Sequence, residues 1–280
     1  DPYKILFVTH CDVLTGKVAD AISAFQQRGG IVIGDEFLAP GIQPDVLISS
    51  FQRTNQADVD KESLLKKARQ LREELDGMYR SSLRSDNPEI VLRQRPFQGA
   101  DYICAINDHR AFGSYLGTHR LVMDQGKPSE ATLTLDRTKG VVYDLTRRQE
   151  VQTTKGEGEL SFPAKLGPGE GNVFLVVDEA AGDLEVVVPE TANLGTTVPI
   201  TVQLKDIKGG KLEAVIPVQL VIRDALGREA EGTGYYGAAE GRLDVAMEIA
   251  PNDAPGKWEI QAIEGLTGRK SVEFFEVKTD

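Results

Sequence analysis

The spacing of apolar residues changes about a third of the way along the chain. Residues 3–8, which are apolar except for Lys4, form a short run, and residues 31–34 form a second one. Between them, after Thr15 as the predicted N-cap, apolar positions recur at the helical spacing i, i+3, i+4 and i+7. This order predicts two buried parallel strands joined by a helical crossover, with a further strand at 45–49.

A second helix is predicted over residues 58–76. Acidic residues fill its first turn, where they complement the helix dipole, and Gly77 follows its last residue. One face carries an apolar stripe made of Leu64, Ala68, Leu71 and Leu75. The charges on the other faces are typical of a solvated helix.

After about residue 84 the pattern changes to short strands separated by glycine and proline turns. Residues 84–101, which contain Pro88, Pro96 and Gly99, are interpreted as a connection. A spacing near ten residues with alternating polarity is typical of antiparallel sandwiches. Strands are predicted at 101–107, 130–136, 140–145, 148–154, 158–164, 172–177, 183–188, 197–204, 215–223, 242–249, 257–263 and 271–277.

The predicted fold class is therefore multidomain, α/β followed by all-β. It consists of an incomplete parallel sheet and then two antiparallel β-sandwiches, with domains at residues 1–83, 84–181 and 182–280. A complete α/β domain needs more strands than the first 80 or so residues provide. We expect this chain to be the C-terminal part of a larger modular protein.

The composition of the chain disfavours some classes of binding partner. The formal net charge is −11, and most of it lies after residue 181. An acidic chain repels phosphate backbones and anionic lipid, so neither nucleic acid nor a membrane surface is an expected partner. No run approaches the ~20 apolar residues of a membrane span. The two cysteines, Cys11 and Cys104, are expected to be buried free thiols.

The densest polar cluster follows the predicted strand 101–107. Its residue types hydrogen-bond and stack on sugars, which indicates a glycan or domain-interface site. The simpler interpretation is an Asp–Arg pair that holds a long loop against the α/β domain. Tyr235 and Tyr236 form a second candidate surface, with strand packing as the alternative. The candidate ligand or interface residues are Asn107, Asp108, His109, Arg110, Tyr115, His119, Tyr235 and Tyr236.

Catalytic chemistry is not predicted within this chain. His10, Cys11 and Asp12 follow a parallel strand, but adjacent strand residues point to opposite faces, which favours a structural strand end over a thiol–imidazole pair. The histidines are too few and too separated to predict a metal site, and no phosphate loop indicates a cofactor. The single tryptophan, Trp258, is expected in a core.

Three stretches resemble known families. The run Val13-Leu14-Thr15, the helix after it and Ile31-Val32-Ile33-Gly34-Asp35 resemble the second half of a class I glutamine-amidotransferase-like, flavodoxin-like domain. Val142-Tyr143-Asp144-Leu145 and Leu166-Gly167-Pro168-Gly169-Glu170-Gly171 resemble the C-terminal β-sandwich of many glycoside hydrolases. Asn252-Asp253-Ala254-Pro255-Gly256-Lys257-Trp258 resembles macroglobulin-type and other bacterial Ig-like domains.

The resemblance implies a secreted or cell-envelope bacterial protein that acts on carbohydrate, with its catalytic domain N-terminal to residue 1. In glycoside hydrolases related to the family 42 β-galactosidases, the amidotransferase-like domain is a non-catalytic trimerisation domain, so the resemblance implies a homo-oligomer. The expected role is structural support, oligomerisation or substrate presentation. The alternatives are a carbohydrate-binding module, an Ig-like spacer of an adhesion protein, and a hydrolase that uses His10 and Cys11.

Overall fold

A computed structural model describes most of the chain, with short gaps between residues 112 and 124. The described residues are 3–54, 56–112, 116–117, 120–121 and 124–279. They form two helices and 24 strands, and neither of these helices is long and apolar enough to cross a membrane. Two compact units result, Asp1–Ser81 with Ala111–Gln125, and Ser82–Arg110 with Gly126–Asp280. The assignment of three domains stays a prediction.

The first unit contains a small parallel sheet. Its main elements are β1 (Ile5–Val8), α1 (Gly16–Gln27), β2 (Ile31–Gly34), β3 (Val46–Leu47) and α2 (Ala57–Asp76). The strands lie in the order β1-β2-β3 and both pairs are parallel, which confirms the predicted crossover. Thr15 occupies the N-cap position of α1, although its side chain makes no capping hydrogen bond. Val8, Ile22, Val32 and Ile42 form the core of this sheet and α1.

Two antiparallel sheets of the second unit pack face to face. Their strands are β4 (Leu83–Ser85), β5 (Ile90–Phe97), β6 (Ala100–Asn107), β11 (Ser129–Leu135), β12 (Val141–Asp144), β13 (Gln149–Val151), β14 (Thr154–Lys155), β15 (Leu160–Leu166) and β16 (Gly171–Val177). Four short strands that follow β6 in the sequence form two separate pairs, β7 (Arg110–Phe112) with β10 (Asp124–Gly126) and β8 (Leu116–Gly117) with β9 (Arg120–Leu121). The four-stranded sheet is β14-β15-β11-β4 and the five-stranded sheet is β13-β12-β16-β6-β5. Between them lies an apolar core in which the Phe162 and Phe174 rings are 5.2 Å apart.

The interpretation of residues 84–101 as a connection is wrong, because β4 and β5 lie there. β5 pairs only with β6 and forms an edge of its sheet, where a proline is tolerated because no second neighbour needs its missing N–H. Pro96 therefore marked an edge strand instead of a linker.

The rest of the unit is one curled sheet of eight strands. They are β17 (Ala181–Val187), β18 (Thr191–Asn193), β19 (Thr197–Asp206), β20 (Val215–Arg223), β21 (Gly234–Ala239), β22 (Arg242–Glu248), β23 (Gly256–Glu264) and β24 (Lys270–Lys278). Their order is β17-β19-β22-β21-β20-β23-β24-β18. Val186 near one end of this order shares a core with Phe275 near the other, so the sheet folds back on itself. Trp258 is 1% exposed in that core, which confirms its predicted burial.

The five-stranded sheet is buried on both faces near its centre. Side chains of β16 alternate between the two cores: Phe174 and Val176 face the four-stranded sheet, whereas Leu175 and Val177 join the core of the eight-stranded sheet. A continuous apolar strand is expected wherever both faces of a sheet are covered. The two stacks of sheets therefore share one apolar interior through β16.

Two tyrosine hydroxyls add polar links between the stacks. The Tyr143 hydroxyl accepts a hydrogen bond of 2.8 Å from the backbone N–H of Ala181 in β17. The Tyr102 hydroxyl donates to the carbonyl of Val215 at 2.9 Å and accepts from its N–H at 2.7 Å. Both tyrosines flank Leu175 in register on β16, so the links and the apolar contact lie in one row.

An ion-pair network surrounds the strand connection between the stacks. Arg137, whose side chain is 14% exposed, binds Asp101 and Asp178 through guanidinium–carboxylate distances of 2.6 Å each. Lys139 binds the other oxygen of Asp178 at 2.7 Å. The hydrogen bonds from Lys139 and Arg137 hold the pKa of Asp178 below its ordinary value, so this carboxylate is ionised at neutral pH.

Removing the Tyr143 hydroxyl tests the polar link. We expect Tyr143→Phe to lower the free energy of unfolding by about 1–3 kcal/mol, because a buried N–H loses its acceptor. Tyr235→Phe, at a hydroxyl on a highly exposed side chain, is the matched control and should change it by less than about 0.5 kcal/mol. Urea unfolding measures both, and equal small effects would contradict the link.

Alkaline pH tests the burial of the same hydroxyls. Burial raises the pKa of Tyr102 and of Tyr143 above the ordinary value of 10.0. Both stay protonated in the folded state at a pH that ionises them in the unfolded state. Their contribution to stability is therefore complete below about pH 10 and is lost as the pH rises through the folded pKa.

We expect the free energy of unfolding of the wild type to fall above about pH 10. The fall should be shallower in a variant carrying both Tyr102→Phe and Tyr143→Phe, since neither position can then ionise. Denaturant titrations at stepped pH measure this, and identical slopes for the two proteins would show that these tyrosines are not linked to alkaline unfolding.

Candidate functional site

A cleft of about 530 Å³ lies in the first unit, at the carboxyl ends of its parallel strands. The cleft is lined by residues that follow β1, β2 and β3 and by one face of α2. The carboxyl edge of a parallel sheet is the usual place for a ligand in α/β folds. The leucine stripe predicted on α2 borders this cleft, and Leu64 is 45% exposed there.

A buried aspartate organises the rim of the cleft. Asp35, with a side chain only 1% exposed, follows β2 and accepts the backbone N–H of His10 with both oxygens, at 2.9 and 3.1 Å. It also accepts the N–H of Phe37 at 3.1 Å and lies 3.0 Å from the His10 Nδ1 atom. His10 has a φ of 53°, so Asp35 holds it in the left-handed region.

Cys11 does not share the cleft with His10. Its side chain packs against the core of the first unit, whereas His10 is 65% exposed and stacks on Phe37 with ring centres 4.8 Å apart. Cys11 thus contributes to the core of the first unit, whereas His10 lines the cleft. Cys11 and Cys104 are both free, but each is half-buried instead of buried as expected.

A second acidic residue on the rim is engaged by a serine. Glu36 accepts hydrogen bonds from the backbone N–H of Ser50, at 2.9 Å, and from its hydroxyl. The hydroxyl of Ser50 is the main cause that lowers the pKa of Glu36 from its ordinary value. Glu36 is therefore a carboxylate that ties the segment after β3 to the segment after β2.

The predicted polar cluster around residue 107 has a structural role in the described residues. Asn107 is 2% exposed, and its amide donates to the carbonyls of Lys127 and Gly167 at 2.7 Å each. Its carbonyl oxygen accepts the N–H of His109 at 2.9 Å. All of these partners belong to the protein backbone, so Asn107 braces loops and does not face a ligand.

The residues that follow Asn107 differ in their surroundings: His109 is hydrogen-bonded within the fold, whereas Asp108 and Arg110 are exposed. His109 Nδ1 lies 3.0 Å from the hydroxyl of Ser129, and Asp108 pairs with Arg110 at 2.8 Å with both side chains about half exposed. An Asp–Arg pair is therefore present, and its predicted role in holding a loop stays a prediction. Tyr115 and His119 lie outside the described residues. A glycan or interface role for this cluster stays a prediction.

The tyrosine pair on β21 is split by strand alternation. Tyr235 is 76% exposed, whereas Tyr236 packs against the core of the eight-stranded sheet and donates its hydroxyl to the carbonyl of Gly232 at 2.7 Å. Adjacent strand residues face opposite sides, so the two rings cannot form one platform. Only Tyr235 is placed for an external contact, and that role is untested.

Four buried carboxylates of the second unit each close a turn. They accept backbone N–H groups two to five residues further along the chain: Asp144, Asp206, Asp224 and Glu264. Asp144 also accepts the amide of Asn172 at 2.8 Å. Each of the four is thus engaged by nearby turn backbone, although Asp206 also lines a small cleft of about 220 Å³.

The described residues hold no cluster of three or more histidine, cysteine or acidic side chains suited to a metal ion. No protein-family model matches the chain, and no curated protein matches it.

Comparison with solved structures finds distant likenesses to glycosidase domains and to an adhesin. The α-L-fucosidase isoenzyme 2 from Paenibacillus thiaminolyticus is 14% identical over 62% of this chain and 40% of its own, with a TM-score of 0.42. The adhesin InvE of Yersinia pseudotuberculosis is 12% identical over 68% and 59%, with a TM-score of 0.30. A β-glucosidase from Listeria innocua is 19% identical over 34% and 16%, with a TM-score of 0.22.

In each case the match spans less than two thirds of the other protein. All three TM-scores lie below 0.5, so these likenesses assign neither a family nor an activity.

Paired substitutions test whether Asn107 braces the fold. We expect Asn107→Ala to lower the free energy of unfolding by about 1–3 kcal/mol, because two backbone carbonyls and one backbone N–H lose their hydrogen bonds to a buried amide. Asp108→Ala removes only an exposed ion pair and should cost less than about 1 kcal/mol. Urea unfolding of the two variants measures the contrast. A larger loss from Asp108→Ala would overturn the assignment.

Proposed function

We propose that this chain is a non-catalytic structural support within a larger carbohydrate-active protein that acts outside the cytoplasm. The observation that carries the proposal is the apolar interior shared by the two stacks through β16, with the tyrosine links beside it. A shared interior of this kind resists hinge motion between the stacks. The carbohydrate context and the location derive from the sequence resemblance alone.

The use of buried polar groups agrees with a support role. A catalytic acid and base need carboxyl groups that face a substrate cavity. In the second unit, the buried Asp144, Asp224 and Glu264 are engaged by turn backbone and line neither of the clefts of about 530 and 220 Å³. Such carboxylates stabilise loops, and their hydrogen bonds leave little capacity for proton transfer.

Within the same proposal, residues 1–83 are a partial flavodoxin-like, amidotransferase-like layer and residues 182–280 are an Ig-like sandwich. The parallel order β1-β2-β3 supports the first assignment, and the curled eight-stranded sheet supports the second. An oligomerisation role for the parallel layer, and a catalytic domain that precedes this chain, belong to the proposal as well.

Distance measurements between spin labels test the rigidity that this role requires. In a chain with Cys11→Ser and Cys104→Ser, we would place one label at Lys165→Cys in the four-stranded sheet and one at Glu248→Cys in the eight-stranded sheet. Double electron–electron resonance should give one narrow distance distribution, because the stacks share a core.

A reference pair at Glu248→Cys and Lys270→Cys lies within the eight-stranded sheet and gives the width expected of a single rigid body. A distribution between the stacks that is clearly broader than this reference would contradict the proposed support role.

A further inference from the structure

The cleft at the end of the parallel strands has the dimensions of a small-molecule site. Its volume of about 530 Å³ lies inside the range of roughly 300–1,000 Å³ that is typical of ligand pockets. All of its lining residues belong to the first unit, between Thr9 and Glu74. The support role proposed above depends on residues 82–280, so the two proposals stand or fall separately.

Lys67 of α2 brings a positive charge to this cleft. Its ammonium donates to the carbonyl oxygen of Ser49 at 3.3 Å and to the hydroxyl of Ser49. In the part of the chain that the structure describes, no carboxylate forms an ion pair with Lys67. An ammonium held by neutral oxygens at the wall of a cleft can form a charge-assisted hydrogen bond with an anion.

The acidic residues near Lys67 have other partners or lie further along the cleft. Asp35 is bound by the backbone of His10 and Phe37, and Glu36 is bound by Ser50. Glu74 lines the same cleft, seven residues after Lys67 on α2, which is about 10 Å along a helix axis. The end of the cleft that holds the Lys67 ammonium is therefore separate from the end that holds the Glu74 carboxylate.

His10 adds a second polar group to the same lining. Its Nδ1 atom is engaged by Asp35, which leaves Nε2 as the ring nitrogen that can meet a ligand. The backbone of His10 is in the left-handed region and is fixed there by the buried Asp35. A strained residue held in place by a buried carboxylate is a recurrent feature of binding sites.

The remaining wall of the cleft is apolar. Leu47 is 65% exposed and Leu64 is 45% exposed, and both line the cleft together with Phe51 and Leu71. These side chains come from the end of β3, the segment after it and α2, and they line a common space. Apolar walls with a few convergent polar groups are the usual composition of a site for an organic ligand.

We propose that this cleft binds a small amphipathic carboxylate. Its carboxylate group lies at Lys67, Ser49 and His10, and its apolar body lies on the wall formed by the leucines and Phe51. One ammonium matches a single negative charge, and the described residues that line this cleft include no second lysine or arginine for the second charge of a phosphate dianion. A singly charged organic acid is therefore the ligand class that the charges and the wall favour together.

Binding of phenylacetate to the full chain tests the proposal, with the neutral phenylacetamide as the matched probe. Methyl NMR of leucine-labelled protein would follow Leu64 and Leu71. We expect phenylacetate to cause saturable shifts at these methyl groups and to bind about tenfold more tightly than the amide, which corresponds to the loss of one charge-assisted contact.

A pair of lysine variants locates the contact. Lys67→Met keeps the length of the side chain without its charge and should weaken phenylacetate binding about tenfold. Lys66→Met, at the neighbouring exposed lysine that does not line the cleft, should leave the affinity unchanged. The methyl spectra of both variants without ligand show whether α2 keeps its place.

Three results would overturn the proposal: no saturable shift with phenylacetate, equal affinity for the acid and the amide, or equal effects of the two lysine variants. Leucine shifts that depend on protein concentration without any ligand would show that a second copy of the chain covers this wall, and would overturn it as well.

Discussion

The burial of β16 on both of its faces is the constraint on which the second unit depends. Its side chains alternate between two apolar cores, so the packing of both stacks depends on this one strand. The row formed by Tyr102, Leu175 and Tyr143 lies across three neighbouring strands and faces the eight-stranded sheet. Apolar burial brings the stacks together, and the two tyrosine hydroxyls satisfy backbone groups that this burial would otherwise leave unpaired.

The same constraint explains where the buried polar groups are. A sandwich closed on both sides has many tight turns, and each turn has N–H groups that need acceptors. Buried carboxylates such as Asp144 and Glu264 supply those acceptors. The buried carboxylates of the second unit therefore stabilise its own loops, which is the property expected of a structural support.

The first unit is organised differently. Its parallel sheet has three strands and a small core, and the apolar stripe of α2 borders a cleft instead of filling a core. Polar residues that are far apart in sequence, such as His10, Asp35 and Lys67, meet at this cleft. A site of this kind fits the general rule that ligands bind where parallel strands end.

Periodicity predicted most of the regular elements. The strand–helix–strand start, α2 and most of the long strands of the second unit follow from local patterns, because burial imposes a period of two or 3.6 on the residues that face a core. The prediction was wrong for residues 84–101, because β5 is an edge strand that carries a proline.

The site residues were harder to predict, since their contacts are long-range. Asp35 meets His10 across 25 positions, and Lys67 meets Ser49 across 18. No local pattern encodes such a contact, although an aspartate directly after a buried strand was a usable signal. Tyr235 and Tyr236 were grouped as one surface, whereas strand alternation places them on opposite sides.

Native-state hydrogen exchange measured by mass spectrometry at increasing urea tests the central claim most directly, namely that the two stacks form one cooperative body. Backbone amides of β16 and of β20 should exchange through openings with the same free energy and the same dependence on urea. If β20 and its neighbours opened at clearly lower free energy while β16 stayed protected, the stacks would be independent and the shared interior would not govern the fold.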